Sequence, residues 1–291
     1  MEVVSDNPQA DAERIFTAFA GKAFRREVTS EEISPFTALF ASRLASGYTF
    51  ELAIRAALKG VLISPEFLFL RERPGKLDDF ALANRLSYFV WSTMPDAALL
   101  ALAEKGALHD KAELSRQVAR MLADPRSRRF SDSFATQWLR LRKVGMFTPD
   151  KKLYPDYDRH LEQSMIAETT GFFHEVLHGG HTLRELLHAD WSIMNARLAG
   201  HYDLADVTTK GDDLVKISLP AGSHRGGLLT QASVLSLTSD GTRHRPVHRG
   251  VWVLETIFGK SPPPPPANVS PIPTNPAAPK ATLREKLEAH I

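Results

Sequence analysis

Capping residues recur at short intervals through roughly residue 200, and each is followed by a stretch whose apolar side chains return at helical spacing. Thr29 with Ser30, Glu31 and Glu32 opens one such stretch, and Ser64-Pro65-Glu66 opens another. Asp78 precedes ALANRLSYFVW. Pro95-Asp96 starts AALLALAEK and Gly106 stops it, while Asp110 opens KAELSRQVARML ahead of a break at Asp124-Pro125. A further helix is predicted through Phe130, Phe134, Trp138 and Leu139, and a long one from about Asp156 to His178. A chain punctuated this way is committed to helices that bury their apolar faces on one another. The predicted fold class is therefore mainly α, a multi-helix bundle-like array.

After Gly200 the texture changes. LVKISL, residues 214–219, alternates as a short strand does, and Gly222, Gly226 and Gly227 mark loops. Pro246 is placed in the first turn of a last large helix, VHRGVWVLETIF, closed by Gly259. SPPPPPANVSPIPTNPAAP then reads as a proline-rich polyproline II linker, and ATLREKLEAHI as the start of a helix. The predicted organisation is an N-terminal helical module (1–75), a central helical domain (76–205), a small mixed α/β segment with a basic helix entrance (206–260), and a linker with a truncated helix (261–291).

Of the 291 residues, 43% are hydrophobic and 24% charged, which is the make-up of a folded chain. A net charge of +2 does not make a general nucleic-acid binder, and no apolar run approaches a membrane span, so neither partner is expected. The absence of cysteine excludes disulfides, thiolate metal sites, cysteine nucleophiles and covalent haem c attachment within these residues.

HEVLHGGH, residues 174–181, matches the H-E-x-x-H pattern of zinc hydrolases. In that reading His174 and His178 bind the metal from one helical face and Glu175 acts as the base. The apolar positions Leu161, Met165, Ile166, Phe172, Phe173, Val176 and Leu177 fill one arc, with both histidines close to opposite its centre. No third ligand is marked: Arg184 stands where the elongated motif has its histidine, and nothing singles out Asp203 or Asp206. The competing reading is a pair of solvated histidines, His178 being favourable at a helix C-terminus.

The second anomaly is GTRHRPVHRGVW. Arg243, His244, Arg245, His248 and Arg249 crowd the start of a helix, where positive charge is unfavourable by a few tenths to about 1 kcal/mol each. Either an anion is bound there, or nearby acids such as Asp240 neutralise the block. Trp91, Trp138, Trp191 and Trp252 are predicted to pack in cores or interfaces, and Arg126, Arg128 and Arg129 to form a solvated or acid-paired turn. No phosphate-binding glycine loop and no G-x-S-x-G elbow occurs.

Five phrases, KAFRREVTSEE, ALANRLSYFVWSTMPDAALLALA, MLADPRSRRFSDSFATQWL, ADWSIMNARLAGHY and RGGLLTQASVLSLTSDGTRHRPVHRGVWVLETIFGKSPPPPPANV, follow one another in an order that resembles the large planctomycete-type proteins of unknown function that carry c-type cytochrome modules. The resemblance runs from about residue 11 to the end. It implies a larger extracytoplasmic protein, in the periplasm or cell envelope, with an export signal and cytochrome c-like module upstream and a C-x-x-C-H motif downstream. On that footing this chain is an internal fragment or short form, with no cofactor of its own and haem c belonging to the full-length protein. Its partners are then the other domains of the parent, and its function is that of a helical module in electron transfer or haem-dependent oxidation. The resemblance also implies that Arg243, His244, Arg245, His248 and Arg249 lie beside the haem region, where they contact propionates or supply a histidine. The alternatives are a zinc-dependent hydrolase built on His174, Glu175 and His178, and a non-catalytic structural or protein-binding module.

Overall fold

The computed structural model describes residues 3–70, 72, 74–204, 211–242, 245–263 and 284–285. Arg243, His244 and most of the proline-rich and terminal segments lie outside the described residues.

The capping residues start the helices as their chemistry dictates. The Thr29 hydroxyl accepts from the Glu32 N–H while the Glu32 carboxylate accepts from the Thr29 N–H at 3.0 Å, a reciprocal capping box. Asp78, Asp96 and Asp110 accept from the N–H groups of Ala81, Leu99 and Glu113 at 2.7, 3.0 and 2.8 Å. These caps begin α2 (Ser30–Ala45), α5 (Asp79–Trp91), α6 (Ala97–Glu104) and α7 (Lys111–Ala123). The short α4 (Pro65–Leu68) follows its Ser64 cap, and α1 (Pro8–Phe24) and α3 (Phe50–Leu62) complete the first helical group.

Three helical layers follow from these faces. In the first, α1, α2 and α3 pack mutually around Phe16, Phe40 and Ala57, with the rings of Phe16 and Phe40 edge-on at 5.9 Å. In the second, α5, α6 and α7 enclose Trp91, whose indole N–H donates to the Met121 carbonyl at 3.0 Å. Arg25 joins the two layers: it donates to the carbonyls of Glu66 and Phe67, and its guanidinium lies 5.8 Å from the Tyr88 ring.

The third layer surrounds α9 (Arg159–His178), which Asp158 caps. Packed around it are α8 (Arg128–Trp138), β1 (Trp191–Met194), α10 (Ala196–His201) and α11 (Ala232–Leu237), and α12 (Pro246–Thr256) closes the same core through Trp252. The strand expected at 214–219 is β2 (Val215–Ser218), paired antiparallel with β1 so that Trp191 faces Ser218. All four residues of WSIM are buried, so β1 has no alternation to betray it in sequence. The core also crosses residue 205: Leu228, Val234 and Trp252 are buried together with Phe172 and Trp191. The tryptophans pack as expected, and the Arg126 and Arg128 guanidiniums pair with Asp124 and Asp132 at 2.8 and 2.9 Å.

The result is a mainly α protein with one two-stranded ribbon among the described residues. One correction concerns α9: Leu177 is exposed, since the helix's last turn runs past the core that buries Val176.

Candidate functional site

Because β1, α10 and α11 all pack on α9, several polar side chains of that helix are buried and need partners. Asn195 donates its amide to the Ser164 hydroxyl at 2.9 Å, and Thr169 shares a 2.5 Å hydrogen bond with Ser233. Glu168 is the costly one, a carboxyl buried on every side. Ser192 of β1 donates to its Oε1 at 2.8 Å, and Tyr202, just past α10, donates to its Oε2 at 2.6 Å. The Tyr202 oxygen in turn accepts from the Ala232 N–H at 2.8 Å. Burial outweighs these hydrogen bonds and the nearby Arg225 charge, and pushes the Glu168 carboxyl up to about 7. Burial and the adjacent carboxylate hold the Tyr202 phenol well above its usual range.

The loop before α11 supplies the opposing charge. Gly226 and Gly227 both have positive φ, and a Cβ on Gly227 would stand 2.4 Å from the Leu187 carbonyl carbon. Only glycine lets this loop press on the backbone leading into β1. Thr230 closes it, accepting from the Gly226 N–H at 2.8 Å and donating to the Gly227 carbonyl at 3.0 Å. The Arg225 guanidinium is thereby laid over the Tyr202 ring at 3.6 Å, with a donor to the Thr230 carbonyl at 3.3 Å.

Two spaces meet at Tyr202. Behind it is an enclosed cavity of about 10 Å³ lined by Glu168, Ser192, Arg225 and Gln231, which is room for about one water. Gln231 is 3% exposed, and both polar atoms of its amide lack a hydrogen-bond partner among the described residues. In front of it is an open cleft of about 380 Å³ whose walls include Tyr154, Tyr157, His201, Arg225 and Arg249. Burial pushes Tyr157 up to about 12, helped by Glu162, whose carboxylate accepts from its hydroxyl at 3.1 Å. Burial also lowers His201 and Arg249, so the imidazole is biased toward its neutral form. Arg249 donates Nε–H to Thr238 at 3.1 Å, and among the described residues neither Arg225 nor Arg249 pairs with a carboxylate. A guanidinium has five N–H donors, so each keeps several for a ligand.

The described residues of the basic helix entrance turn different ways. Arg245 is neutralised by Asp240 at 2.8 Å, His248 is exposed, and of the three described basic residues only Arg249 reaches the cleft. Arg243 and His244 lie outside the described residues.

HEVLH is also rearranged. His174 is not turned to solvent: its Nδ1 is 2.9 Å from the Ser131 hydroxyl on α8, and its ring lies 4.3 Å from that of His178. Burial lowers both imidazoles. Glu175 turns instead to Lys216 at 2.9 Å, and Lys216 also meets His181, which bonds Glu185 at 2.7 Å. Among the described residues no group of three or more His, Cys, Asp or Glu side chains is placed to hold a metal ion.

Glu168, Tyr202, Arg225 and Gln231 are absent from the sequence-derived candidates. One signal pointed to Glu168: it sits three residues after Met165 and four before Phe172, at the edge of the apolar arc.

The raised carboxyl makes stability depend on pH. The unfolded chain ionises Glu168 near the ordinary 4.5, while the folded chain keeps the proton to about 7. The unfolded state therefore binds fewer protons between those values, and stability falls as pH rises through that window, by about 3 kcal/mol in total. Urea denaturation from pH 4.5 to 8 should show this decline, and it should be largely absent in Glu168→Gln.

Three family models match consecutive stretches: PSD5, protein of unknown function (DUF1595), over residues 11–72; PSD4, protein of unknown function (DUF1592), over 77–204; and PSCyt3, protein of unknown function (DUF1588), over 225–291. The chain belongs to the planctomycete-type, cytochrome-associated multidomain family of unknown function. No curated protein and no solved structure matches it. Within the family's layout the cleft falls where two units meet: Met165, His201 and Tyr202 belong to the PSD4 match, while Arg225, Ala232 and Arg249 belong to the PSCyt3 match. Among the described residues no helix is long and apolar enough to cross a membrane.

Proposed function

We propose that this chain is a helical recognition module of a larger cytochrome-associated protein of the periplasm or cell envelope, and that its cleft binds a carboxylate-bearing ligand. The observation that carries the reading is the pair of guanidiniums, Arg225 and Arg249, lining one cleft without a carboxylate partner among the described residues. Buried or half-buried arginine left uncompensated is costly, and a bound carboxylate compensates it with charge-assisted hydrogen bonds. The tyrosines beside them supply apolar faces for the rest of the ligand.

A haem belonging to a neighbouring module would meet the arginines of this site through its propionates, with His201 on the same wall. The chain has no cysteine to attach haem c, His248 does not line the cleft, and the cations present suit a carboxylate. A haem so presented brings one-electron chemistry to the assembly, in line with a role in electron transfer or haem-dependent oxidation. The residues of this chain hold the carboxylate and fix its orientation.

The test is titration of the chain with benzoate, followed by NMR, with protoporphyrin and its dimethyl ester as a second pair of ligands. Benzoate should bind with a dissociation constant on the order of 1 mM, a value suited to so small a ligand. Arg225→Gln and Arg249→Gln should each weaken it by roughly tenfold or more, the loss of a hydrogen bond to a charged group. Binding of protoporphyrin but not its ester identifies propionate recognition. Equal binding of both, or variants that bind as the parent does, overturns the reading.

A further inference from the structure

Glu168 is not used by anion binding itself, yet it lines the same small cavity as Arg225, the cation that would do the binding. Tyr202 is the shared wall: its hydroxyl donates to Glu168, its ring carries Arg225, and it borders both the enclosed cavity and the open cleft. Arg225 lines both spaces as well. The unpartnered amide of Gln231 borders the same one-water cavity as the carboxyl. A void of that size, with an orphaned amide, the Glu168 carboxyl and the Ser192 hydroxyl on its wall, has room and polar partners for one internal water.

We propose that Glu168, Gln231 and one internal water form a proton-exchange site coupled to the cleft, so that an anion taken by Arg225 is accompanied by uptake of a proton on Glu168. This rests on the anion-binding reading of the cleft. The balance is simple: the carboxylate gains one proton from solvent, relayed by the internal water, and no other bond changes. The cause is electrostatic. Arg225 favours the ionised carboxylate in the empty protein, and a ligand anion on the same guanidinium cancels that support. Tyr202 is the other ionisable neighbour, and it stays neutral. From the elements packed on α9, Ser192 and the Ala232 N–H complete the surroundings without charge. His201 of α10 lines the cleft and is also a titratable group, affected by Arg225 and Arg197.

The experiment measures the benzoate dissociation constant of the full chain at pH 6 and pH 8 by NMR titration, for the parent, Glu168→Gln and His201→Gln. Benzoate itself stays ionised across this range. The parent should bind several-fold more tightly at pH 6, about half a proton taken up per anion near neutrality. In Glu168→Gln the ratio should approach one, while His201→Gln should keep most of it. Infrared difference spectra on adding benzoate to the parent at pH 7.5 should show a protonated carboxyl band that grows, which keeps the idea testable if a variant does not fold. Absence of benzoate binding at either pH defeats the anion-binding reading. Binding that is independent of pH, or whose pH dependence disappears in His201→Gln and persists in Glu168→Gln, defeats the proton coupling alone.

Discussion

Gly227→Ala should destabilise the protein by roughly 4 kcal/mol and disconnect Arg225 from the cleft. Two costs combine. The residue has φ of +76° and ψ of 171°, a region essentially confined to glycine, where a side chain is strained by about 1–3 kcal/mol. The added methyl also meets backbone: it would stand 2.4 Å from both the carbonyl carbon and oxygen of Leu187 and 2.9 Å from the His188 nitrogen. A flexible side chain could swing away from such a contact, but this stretch of main chain leads directly into the buried β1 and cannot. The loop must therefore lift. Lifting it loosens the Thr230 closure and draws Arg225 off the Tyr202 ring. Thermal or urea denaturation measures the stability loss, and benzoate binding should weaken in parallel. Gly222→Ala is the control, since that glycine also has positive φ but an added Cβ meets nothing within 4 Å, so its cost should stay near the strain alone.

Tyr202→Ala should cost about 4 kcal/mol, through a different route. The side chain is 8% exposed and packs with Leu161, Met165, Leu198 and Ala232, so truncation leaves a cavity. It also removes the hydroxyl that satisfies both Glu168 and the Ala232 N–H, and the surface on which Arg225 lies. Tyr202→Phe separates the two contributions: the ring stays, and two buried polar groups lose a partner, for about 2 kcal/mol. The loss in Tyr202→Phe should grow as pH rises through the range where Glu168 ionises, because the missing donor stabilised the carboxylate. Guanidinium denaturation of the three proteins at pH 5 and pH 8 measures both effects. Equal losses for Ala and Phe would show that the ring contributes nothing.

The helical framework was legible because its signals are local. Asp78, Asp96 and Asp110 each accept from an N–H three residues ahead, so composition and spacing announce the start of a helix wherever the chain goes next. The candidate site is assembled from the opposite kind of contact. Glu168 meets Ser192 and Tyr202 at separations of 24 and 34 residues, and Arg225 reaches Tyr202 only because two glycines bend the loop toward β1. Nothing in the order of those residues states their meeting. HEVLH is a compact local pattern, but Ser131 and Lys216, 43 and 41 residues away from His174 and Glu175, are the contacts those side chains make. The basic helix entrance left two readings open, an anion site or neutralisation by acids such as Asp240, and among the described residues the contacts divide: Asp240 pairs with Arg245 while Arg249 lines the cleft. Two weaker signals were present, the acid at the edge of an apolar arc and the Gly226-Gly227 pair beside an arginine.

The most direct test of the cleft is to follow the arginine Nε–Hε resonances of the intact chain while benzoate is added. The account requires the Arg225 and Arg249 signals to shift together, saturating with one dissociation constant, while that of Arg245, held by Asp240, stays in place. Arg225 and Arg249 signals that do not move, or shifts that rise linearly at every surface arginine alike, would contradict it.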